Sequence, residues 1–270
     1  MHPIAAAADE NLAVHFTYVH RRLEGMRVRE DLGVLLADSG LPCDTFNAAC
    51  RARLAADTAA ARIREAIGWF VEGGRPFSWW VGPGDEPGDL GVLLDAEGLA
   101  AAESELAMQA DLATARLEVP APAGFTVQRV RTPAELERFA AITAANWTPP
   151  DPHVHTFYER AAGVLLESGS PLRFYLGYLD GEPVAASEMT LGGGVVGLYN
   201  ISTASAFRGR GFGSEMTAAP LREARDEGIG TAILQAAPAG VSIYRRIGFA
   251  TFGEITEYKP ALAPADEAAA

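Results

Sequence analysis

The segment 208–213 reads Arg-Gly-Arg-Gly-Phe-Gly, and it is the part of the sequence best suited to bind a charged ligand. Glycines let a ligand approach backbone N–H groups, and the dipole of a following helix makes those groups attractive to anions. The two arginines add fixed positive charge. The sequence therefore predicts a cradle for phosphate or pyrophosphate, made of Arg208, Gly209, Arg210, Gly211, Phe212, Gly213 and Ser214.

Spacing excludes two common phosphate-binding loops. A P-loop requires G-x-x-x-x-G-K-[ST], and no glycine in this chain is followed by Lys-Ser or Lys-Thr. The dinucleotide fingerprint G-x-G-x-x-G fails because Ser214 occupies the place of the third glycine. The pattern that remains is R-x-x-G-x-G, which begins at Arg208.

The cradle is expected to join a strand to a helix. An apolar β-type run covers 195–203, a helix-compatible stretch covers 214–227, and a second apolar strand is predicted at 231–237. A short helix after that strand carries Tyr-Arg-Arg-Ile-Gly-Phe at 244–249. The first of these strands leads into the cradle, so the glycines lie at the N-terminus of the following helix.

The upstream region supplies the remaining elements of an α/β unit. A strand is predicted at 125–130, and Thr132 with Glu135 forms a capping box that starts a helix ending near Trp147. A second helix follows from about 153 to 167, and two strands are joined by an Asp-Gly turn at 180–181. The predicted order is strand, two helices, hairpin, strand, cradle, helix, strand, helix and strand.

This order, with R-x-x-G-x-G and Y-x-x-x-G-F at their observed separation, resembles the GCN5-related N-acetyltransferases (the GNAT family). The resemblance covers about 123–258 and implies an α/β fold with a mixed sheet. It also implies that acetyl-CoA is the co-substrate and that the cradle holds the pyrophosphate of coenzyme A. We therefore expect an acetyl-CoA-binding GNAT domain at 123–260.

The resemblance further implies roles for individual residues. In the family, the strand before the cradle separates from its neighbour at a bulge, and its free backbone groups pair with pantetheine. Those positions correspond to Ile201, Ser202 and Thr203, where a backbone N–H would act as an oxyanion donor. Tyr244 matches the tyrosine that protonates the departing thiolate, and the alternative is a tyrosine packed under the short helix.

No general base is obvious from the sequence. Glu188 is the strongest possibility because it stands in an otherwise apolar strand, although a structural glutamate with buried partners would look the same. Asp151 and His155 are weaker possibilities, and a water chain is another. The sequence Ala-Ala-Pro-Ala at 236–239 departs from the family, in which many members place Asn or Ser there to hold the cofactor.

The first half of the chain, 1–119, weakly repeats the order of the second half. Two strands, a long helix, a strand, a short helix and a strand are predicted, and Asn11 is expected to cap an initial helix. This predicts a tandem arrangement with a degenerate GNAT-like N-terminal domain; the alternative is an unrelated α/β domain. No glycines stand between Cys50 and the helix predicted after Ala55, so this copy should not bind coenzyme A in the usual way. The segment 261–270 is predicted to be a disordered tail.

Composition limits the partners. With 22 basic and 35 acidic side chains the net charge is −13, which disfavours nucleic acid or an anionic membrane and suits a small amine. No apolar run is long enough to span a membrane and no signal peptide is evident, so a cytoplasmic location is predicted. The two cysteines and five histidines form no metal-ligand cluster, and no metal is expected. The sequence is also compatible with a homodimer.

Together these features predict an N-acetyltransferase that moves an acetyl group from acetyl-CoA to a small-molecule amine by direct attack. Tyr244 and Glu188 are the predicted catalytic residues. One alternative is a protein or peptide N-terminal acetyltransferase, which would require an open groove. The other is a regulatory module that binds acyl-CoA without turnover, which the missing base and the Ala-Ala departure would suit.

Overall fold

A computed structural model describes residues 3–261, which form one mixed sheet covered by helices. The helices are α1 (Pro3–Thr17), α2 (Ala59–Glu72), α3 (Leu90–Ala96), α4 (Pro133–Ala144), α5 (Pro152–Leu165), α6 (Phe212–Asp226) and α7 (Val241–Ile247). The strands are β1 (Arg27–Arg29), β2 (Leu35–Asp38), β3 (Ala48–Cys50), β4 (Ser78–Val81), β5 (Leu99–Asp111), β6 (Phe125–Arg129), β7 (Leu172–Leu179), β8 (Glu182–Gly192), β9 (Val195–Thr203), β10 (Thr231–Ala236) and β11 (Ala250–Pro260). The predicted disordered tail lies outside the described residues except for Ala261.

The sheet has an internal symmetry that the strand order reveals. Its order is β1-β2-β3-β4-β11-β5-β10-β9-β8-β7-β6. The pairs β3–β4 and β9–β10 are parallel and are connected by α2 and α6, while the other neighbouring strands are antiparallel. Each half therefore contributes the same core unit, as the predicted tandem arrangement of an α/β mixed-sheet fold requires.

The two halves exchange their last strands. β5 follows the N-terminal unit in sequence but pairs with β10 of the C-terminal unit over Thr231–Ala236. β11 ends the C-terminal unit but pairs with β4 of the N-terminal unit, and β5 and β11 also pair with each other. The predicted domain limits of 1–119 and 123–260 therefore divide the sequence, whereas the sheet runs through both parts.

Local signals in the C-terminal half produce the elements that they predict. Thr132 and Glu135 form the capping box of α4, with Pro133 in its first turn. The hairpin turn places Asp180 and Gly181 at φ 52° and 90°, the left-handed backbone that a tight turn between twisted strands requires. The helix α4 ends at Ala144, about one turn before the predicted end near Trp147.

A proline inside α6 is compensated by a neighbouring strand. Pro220 lacks the N–H that would donate to the carbonyl of Met216, four residues earlier. Ser187 of β8 donates its hydroxyl to that carbonyl at 3.0 Å, and all three residues are buried. The helix therefore continues to Asp226, and the hydrogen bond joins α6 directly to β8.

The N-terminal helix differs from the prediction. It begins at Pro3, and Asn11 is not its cap but a fully buried residue in its interior. The Asn11 side-chain amide donates to the carbonyls of Thr190, Gly192 and Val195 at 2.9–3.2 Å. A β-carbon at Gly197 would lie 2.1 Å from the Asn11 side-chain oxygen, so only glycine permits this approach. Helix α1 is therefore fixed against the β8–β9 hairpin. No helix in residues 3–261 is long and apolar enough to cross a membrane.

Candidate active site and cofactor groove

The parallel strands β9 and β10 separate part of the way along their length. They pair at only three positions, and Leu198 with Leu234 is the last of them. Beyond it, the register between β8 and β9 shifts, because Glu188 is paired with Tyr199 but Ala186 with Ser202. A bulge therefore forms at 200–201, where Asn200 has a φ of 52°. The expected separation at a bulge is present in this strand.

The residues Ile201, Ser202 and Thr203 lie beyond this bulge, on the strand that leads to the glycine-rich loop. Ser202 is 8% exposed and its hydroxyl accepts a hydrogen bond from Asn146 at 2.7 Å. The carbonyl of Thr203 accepts a hydrogen bond from the Arg208 guanidinium at 3.0 Å. In the described part of the chain, β10 has no paired partner in β9 at these positions, so the separated strands enclose a groove.

The glycine-rich loop closes one end of the groove at the start of α6. Gly209 and Gly211 have φ of 75° and 87°, and Gly211 is the N-cap of the helix. Neither would place a β-carbon within 3.4 Å of a neighbour, so the backbone conformation alone requires glycine there. The first-turn N–H groups of α6 point from this corner, as an anion site needs.

Four other predicted cradle residues have partners of their own. The Phe212 side chain is buried and stacks on Phe125 at 4.4 Å between ring centroids, so only its backbone faces the groove. The Ser214 N–H donates to the Gly211 carbonyl at 3.2 Å, and the Arg210 guanidinium lies 5.2 Å from the Phe212 ring centroid. The carbonyl of Gly213 accepts from a hydroxyl one turn later in the same helix.

Tyr244 lies on α7 with its side chain almost fully buried. Its ring covers Gly240, where a β-carbon would come within 2.6 Å of the ring. Burial, reinforced by the charge of Glu105, raises the pKa of Tyr244 to about 12. The hydroxyl therefore keeps its proton at neutral pH, as a general acid must before it acts. The same burial also fits the packing role.

Glu188 is buried at 1% exposure and has three side-chain partners. One carboxylate oxygen is 2.8 Å from His15 Nδ1 and 3.2 Å from the Thr190 hydroxyl, and the other accepts from the Asn200 amide at 3.0 Å. The His15 ring stacks on Tyr199 with 3.9 Å between centroids. The carboxylate is therefore held in one orientation, with an imidazole beside it.

Glu188 forms one side of a cavity of about 550 Å³, a volume that includes its open mouth. Helices α1, α4 and α5, the segment before β3, and strands β7 to β9 all contribute to the wall. The lining residues are His15, Phe16, Val19, His20, Thr45, Phe46, Thr143, Trp147, Phe157, Tyr158, Leu165, Leu172, Phe174, Glu188 and Asn200. Since Asn200 also forms the bulge in β9, the cavity meets the groove at that residue.

The weaker base possibilities lie elsewhere. Asp151 accepts from the backbone of His153 as the cap of α5, and His155 pairs with Glu137 on the surface at 3.1 Å. Neither Asp151 nor His155 lines the cavity. Of the three acids and bases considered, Glu188 alone borders the cavity.

Sequence reasoning missed His15 and Asn200. His15 is 173 residues from Glu188 in sequence, and Asn200 reaches the carboxylate only because of the bulge. No local pattern could connect His15 to Glu188, because the contact depends on where α1 lies on the sheet. An asparagine at a position of positive φ is a weak local signal that could have drawn attention to Asn200.

The corresponding cleft in the N-terminal unit is filled by the chain. Strands β3 and β4 pair at two positions and then diverge, and Arg51 has a φ of 54°, close to that of Asn200. The segment 85–86 lies in the gap, where Glu86 exchanges backbone hydrogen bonds with Ala52 and Leu54 at 3.0–3.1 Å. The Asp85 carboxylate accepts from the N–H groups of Ala52 and Gly82, and burial raises its pKa to about 7.

Comparison with known proteins agrees with this geometry. Residues 109–234 match the family model described as an acetyltransferase (GNAT) domain. A GCN5-related N-acetyltransferase from Kribbella flavida has a TM-score of 0.75 at 18% identity, covering 97% of this chain and 98% of its own. A tandem GNAT protein from the clavulanic acid biosynthesis pathway has a TM-score of 0.61 at 16% identity, with coverage of 86% and 79%. No curated protein matches the sequence.

A GCN5-related N-acetyltransferase from Sphaerobacter thermophilus also has a TM-score of 0.61, at 13% identity and with coverage of 86% and 79%. At these identities the solved structures establish the fold. The fold, with its separated strands, is that of the solved GNAT structures, and residues 109–234 are similar to the GNAT domain. The two units resemble the tandem arrangement: strands β9 and β10 of the C-terminal unit separate, whereas the corresponding cleft of the N-terminal unit is filled by the chain.

Proposed function

We propose that this protein transfers an acetyl group from acetyl-CoA to a small-molecule amine by direct attack. The observation that carries the proposal is the position of Glu188, a single buried carboxylate in a mostly apolar cavity that meets the groove at Asn200. The match of residues 109–234 to the GNAT domain supports an acyltransferase with acetyl-CoA as donor. The cavity adds the second requirement, a separate space in which an acceptor can approach the thioester.

The proposed binding of acetyl-CoA uses mostly backbone groups. Pantetheine would pair with the edge of β9 at Ile201, Ser202 and Thr203, while the pyrophosphate would bind the loop at the start of α6. Arg208 and Arg210 are exposed there and supply positive charge. A backbone N–H at the bulge would stabilise the oxyanion that forms on the thioester carbonyl. The thioester would then lie where the groove and the cavity meet.

The reaction requires three proton transfers: one from the protonated amine, one to the departing thiolate, and one from the nitrogen of the tetrahedral intermediate, whose extra proton returns through water to Tyr244. A protonated amine would lose its proton to Glu188, which His15 and Asn200 hold in place at 2.8 and 3.0 Å. The neutral amine would attack the thioester carbon, forming the C–N bond, and collapse of the tetrahedral intermediate would break the C–S bond. Tyr244 would then donate its proton to the departing thiolate. This route gives an amide and free coenzyme A.

The chemistry of the cavity favours an amine with an apolar body. Its walls include the rings of Phe16, Phe46, Trp147, Phe157 and Phe174, and one anionic group faces them. Aromatic faces and a carboxylate both attract an alkylammonium ion. The enclosure by α1, α4 and α5 favours a small acceptor over a polypeptide, which would need an open groove.

The test is release of free thiol from acetyl-CoA in the presence of a panel of small amines. The wild-type protein should release thiol with at least one amine, and Glu188→Gln should lower kcat/KM by about 100-fold or more, as expected for loss of a general base. Glu137→Gln is the matched control, because Glu137 also pairs with a histidine but lies on the surface. Its activity should equal that of the wild type.

Three results would count against parts of the proposal. Binding of acetyl-CoA without thiol release for any amine would support the regulatory module instead. Turnover with peptides but not with small amines would support the N-terminal acetyltransferase. Equal activity of Glu188→Gln and Glu137→Gln would remove Glu188 from the proton transfer and leave only its structural role.

A further inference from the structure

Two residues that line the cavity each carry a buried polar atom without a hydrogen-bond partner. His20 Nδ1 and the Thr143 hydroxyl are both buried without a hydrogen bond, in side chains that are 4% and 3% exposed. Among the residues that the structure describes, only two other side-chain atoms share this condition, and neither Trp79 nor Arg173 borders the cavity. A buried polar group without a partner is destabilising, so a pair of them beside one cavity indicates a ligand that satisfies both.

The hydrogen-bonding character of His20 follows from its other nitrogen. His20 Nε2 lies 2.9 Å from the carbonyl of Phe46, which can only accept, so Nε2 carries the hydrogen. Burial lowers the pKa of His20 to about 4, so the ring is neutral at physiological pH. Its Nδ1 is therefore an acceptor with a free lone pair, and it requires a donor from the ligand.

Thr143 narrows the choice of ligand group. Its hydroxyl can donate or accept, and it lies in the last turn of α4 on the same cavity. A hydroxyl is the ligand group whose chemistry suits both atoms, since it can donate to an imidazole nitrogen and accept from a threonine hydroxyl. An ammonium group has only donors, and its place is beside Glu188. A hydrocarbon chain would leave both atoms unpaired.

Building on the proposed acetyltransferase activity, we propose that the acceptor is an amino alcohol. Its amine would reach Glu188, and its hydroxyl would bind His20 Nδ1 and the Thr143 hydroxyl. The carbon skeleton between them would lie against the aromatic walls. Thr143 is then a specificity-determining residue, because it distinguishes a hydroxyl-bearing amine from a plain alkylamine of the same length.

The test compares matched acceptors in wild-type protein and in Thr143→Val, which removes the hydroxyl and keeps the shape. The acceptors are n-alkylamines and ω-amino alcohols of equal length from propyl to hexyl, with phenethylamine and tyramine as an aromatic pair. At least one amino alcohol should exceed its partner in kcat/KM by about 10-fold or more in the wild type. Thr143→Val should reduce that ratio to within about 3-fold, because only the amino alcohol loses a hydrogen-bond partner.

Two control variants separate specificity from folding. Thr143→Ser keeps a hydroxyl and should restore the preference. Thr156→Val alters a half-buried threonine of α5 that does not line the cavity and whose hydroxyl bonds within its own helix, and it should leave every ratio unchanged. Equal rates for all matched pairs in the wild type, or a uniform loss for both members of each pair in Thr143→Val, would overturn the proposal.

Measuring the binding of the acceptors separates the test of the amino alcohol from the test of acetyltransferase activity. The same pairs are titrated calorimetrically into the protein saturated with coenzyme A. A preference for amino alcohols that disappears in Thr143→Val, without any turnover, would uphold the ligand class and refute the acetyltransferase. Turnover of amines with no preference in either binding or rate would uphold the acetyltransferase and refute the amino alcohol.

Discussion

Substitution of Gly211 by alanine tests whether the corner before α6 binds acetyl-CoA. Gly211 has a φ of 87°, and its nearest neighbour in the direction of a β-carbon is 3.8 Å away. The cost of alanine there is therefore conformational, about 1–2 kcal/mol for a left-handed residue. If the loop avoids this cost by leaving its binding conformation, acetyl-CoA should bind about 5–30-fold more weakly.

Isothermal titration of acetyl-CoA into wild-type protein and Gly211→Ala measures this difference directly. Gly211→Asn should lose less affinity, because asparagine tolerates the left-handed region better than alanine does. Gly163→Ala is the matched control: Gly163 lies in α5 with open space around it, so alanine should leave the affinity unchanged and raise helix stability. An affinity of Gly211→Ala equal to that of the wild type would refute the assignment of the pyrophosphate to this corner.

Three further predictions concern stability and proton transfer. Ser187→Ala should lower the free energy of unfolding in urea by about 1–3 kcal/mol, because the Met216 carbonyl loses its donor. In a Pro220→Ala background the loss should be clearly smaller, because residue 220 then has a helical N–H for that carbonyl; equal losses would disprove the compensation. Burial and nearby acids raise the pKa of Glu105 to about 7, so the stability of the wild-type protein should fall as the pH rises from 4.5 to about 7. Glu105→Gln should make this fall in the unfolding midpoint shallower, and parallel pH profiles of the two proteins would exclude the contribution of Glu105. Tyr244→Phe should lower kcat by about 100-fold or more, whereas an unchanged maximal rate across pH would leave Tyr244 only its packing role.

Much of the C-terminal half was predictable because its signals are local. A capping box at Thr132, an Asp-Gly turn at Asp180 and the apolar run into the glycine-rich loop each specify an element from a few neighbouring residues. The bulge in β9 was expected from the family resemblance, and the register shift at Glu188 has that form. The roles of the cradle residues stay predictions, because they depend on a cofactor.

The rest depended on contacts between distant parts of the chain. Asn11 looked like a helix cap because it precedes an apolar helical pattern, but its amide satisfies three carbonyls at the β8–β9 turn. The pairing of His15 with Glu188 and the cavity between α1 and α5 follow from that docking. The sequence also could not show that Asp85 fills the N-terminal cleft. The absence of glycines after β3 predicts weak binding of coenzyme A there, but it does not predict what occupies the gap.

Because the final strands are exchanged, neither unit can complete its part of the sheet without the other. A fragment ending before Pro120 would contain β5 without its neighbours β10 and β11, and a fragment beginning there would contain β11 without β4 and β5. Each would present long unpaired strand edges to solvent, which invites aggregation. The N-terminal unit is therefore required for folding even though its own cleft is filled, because its strands β4 and β5 complete the sheet of the C-terminal unit.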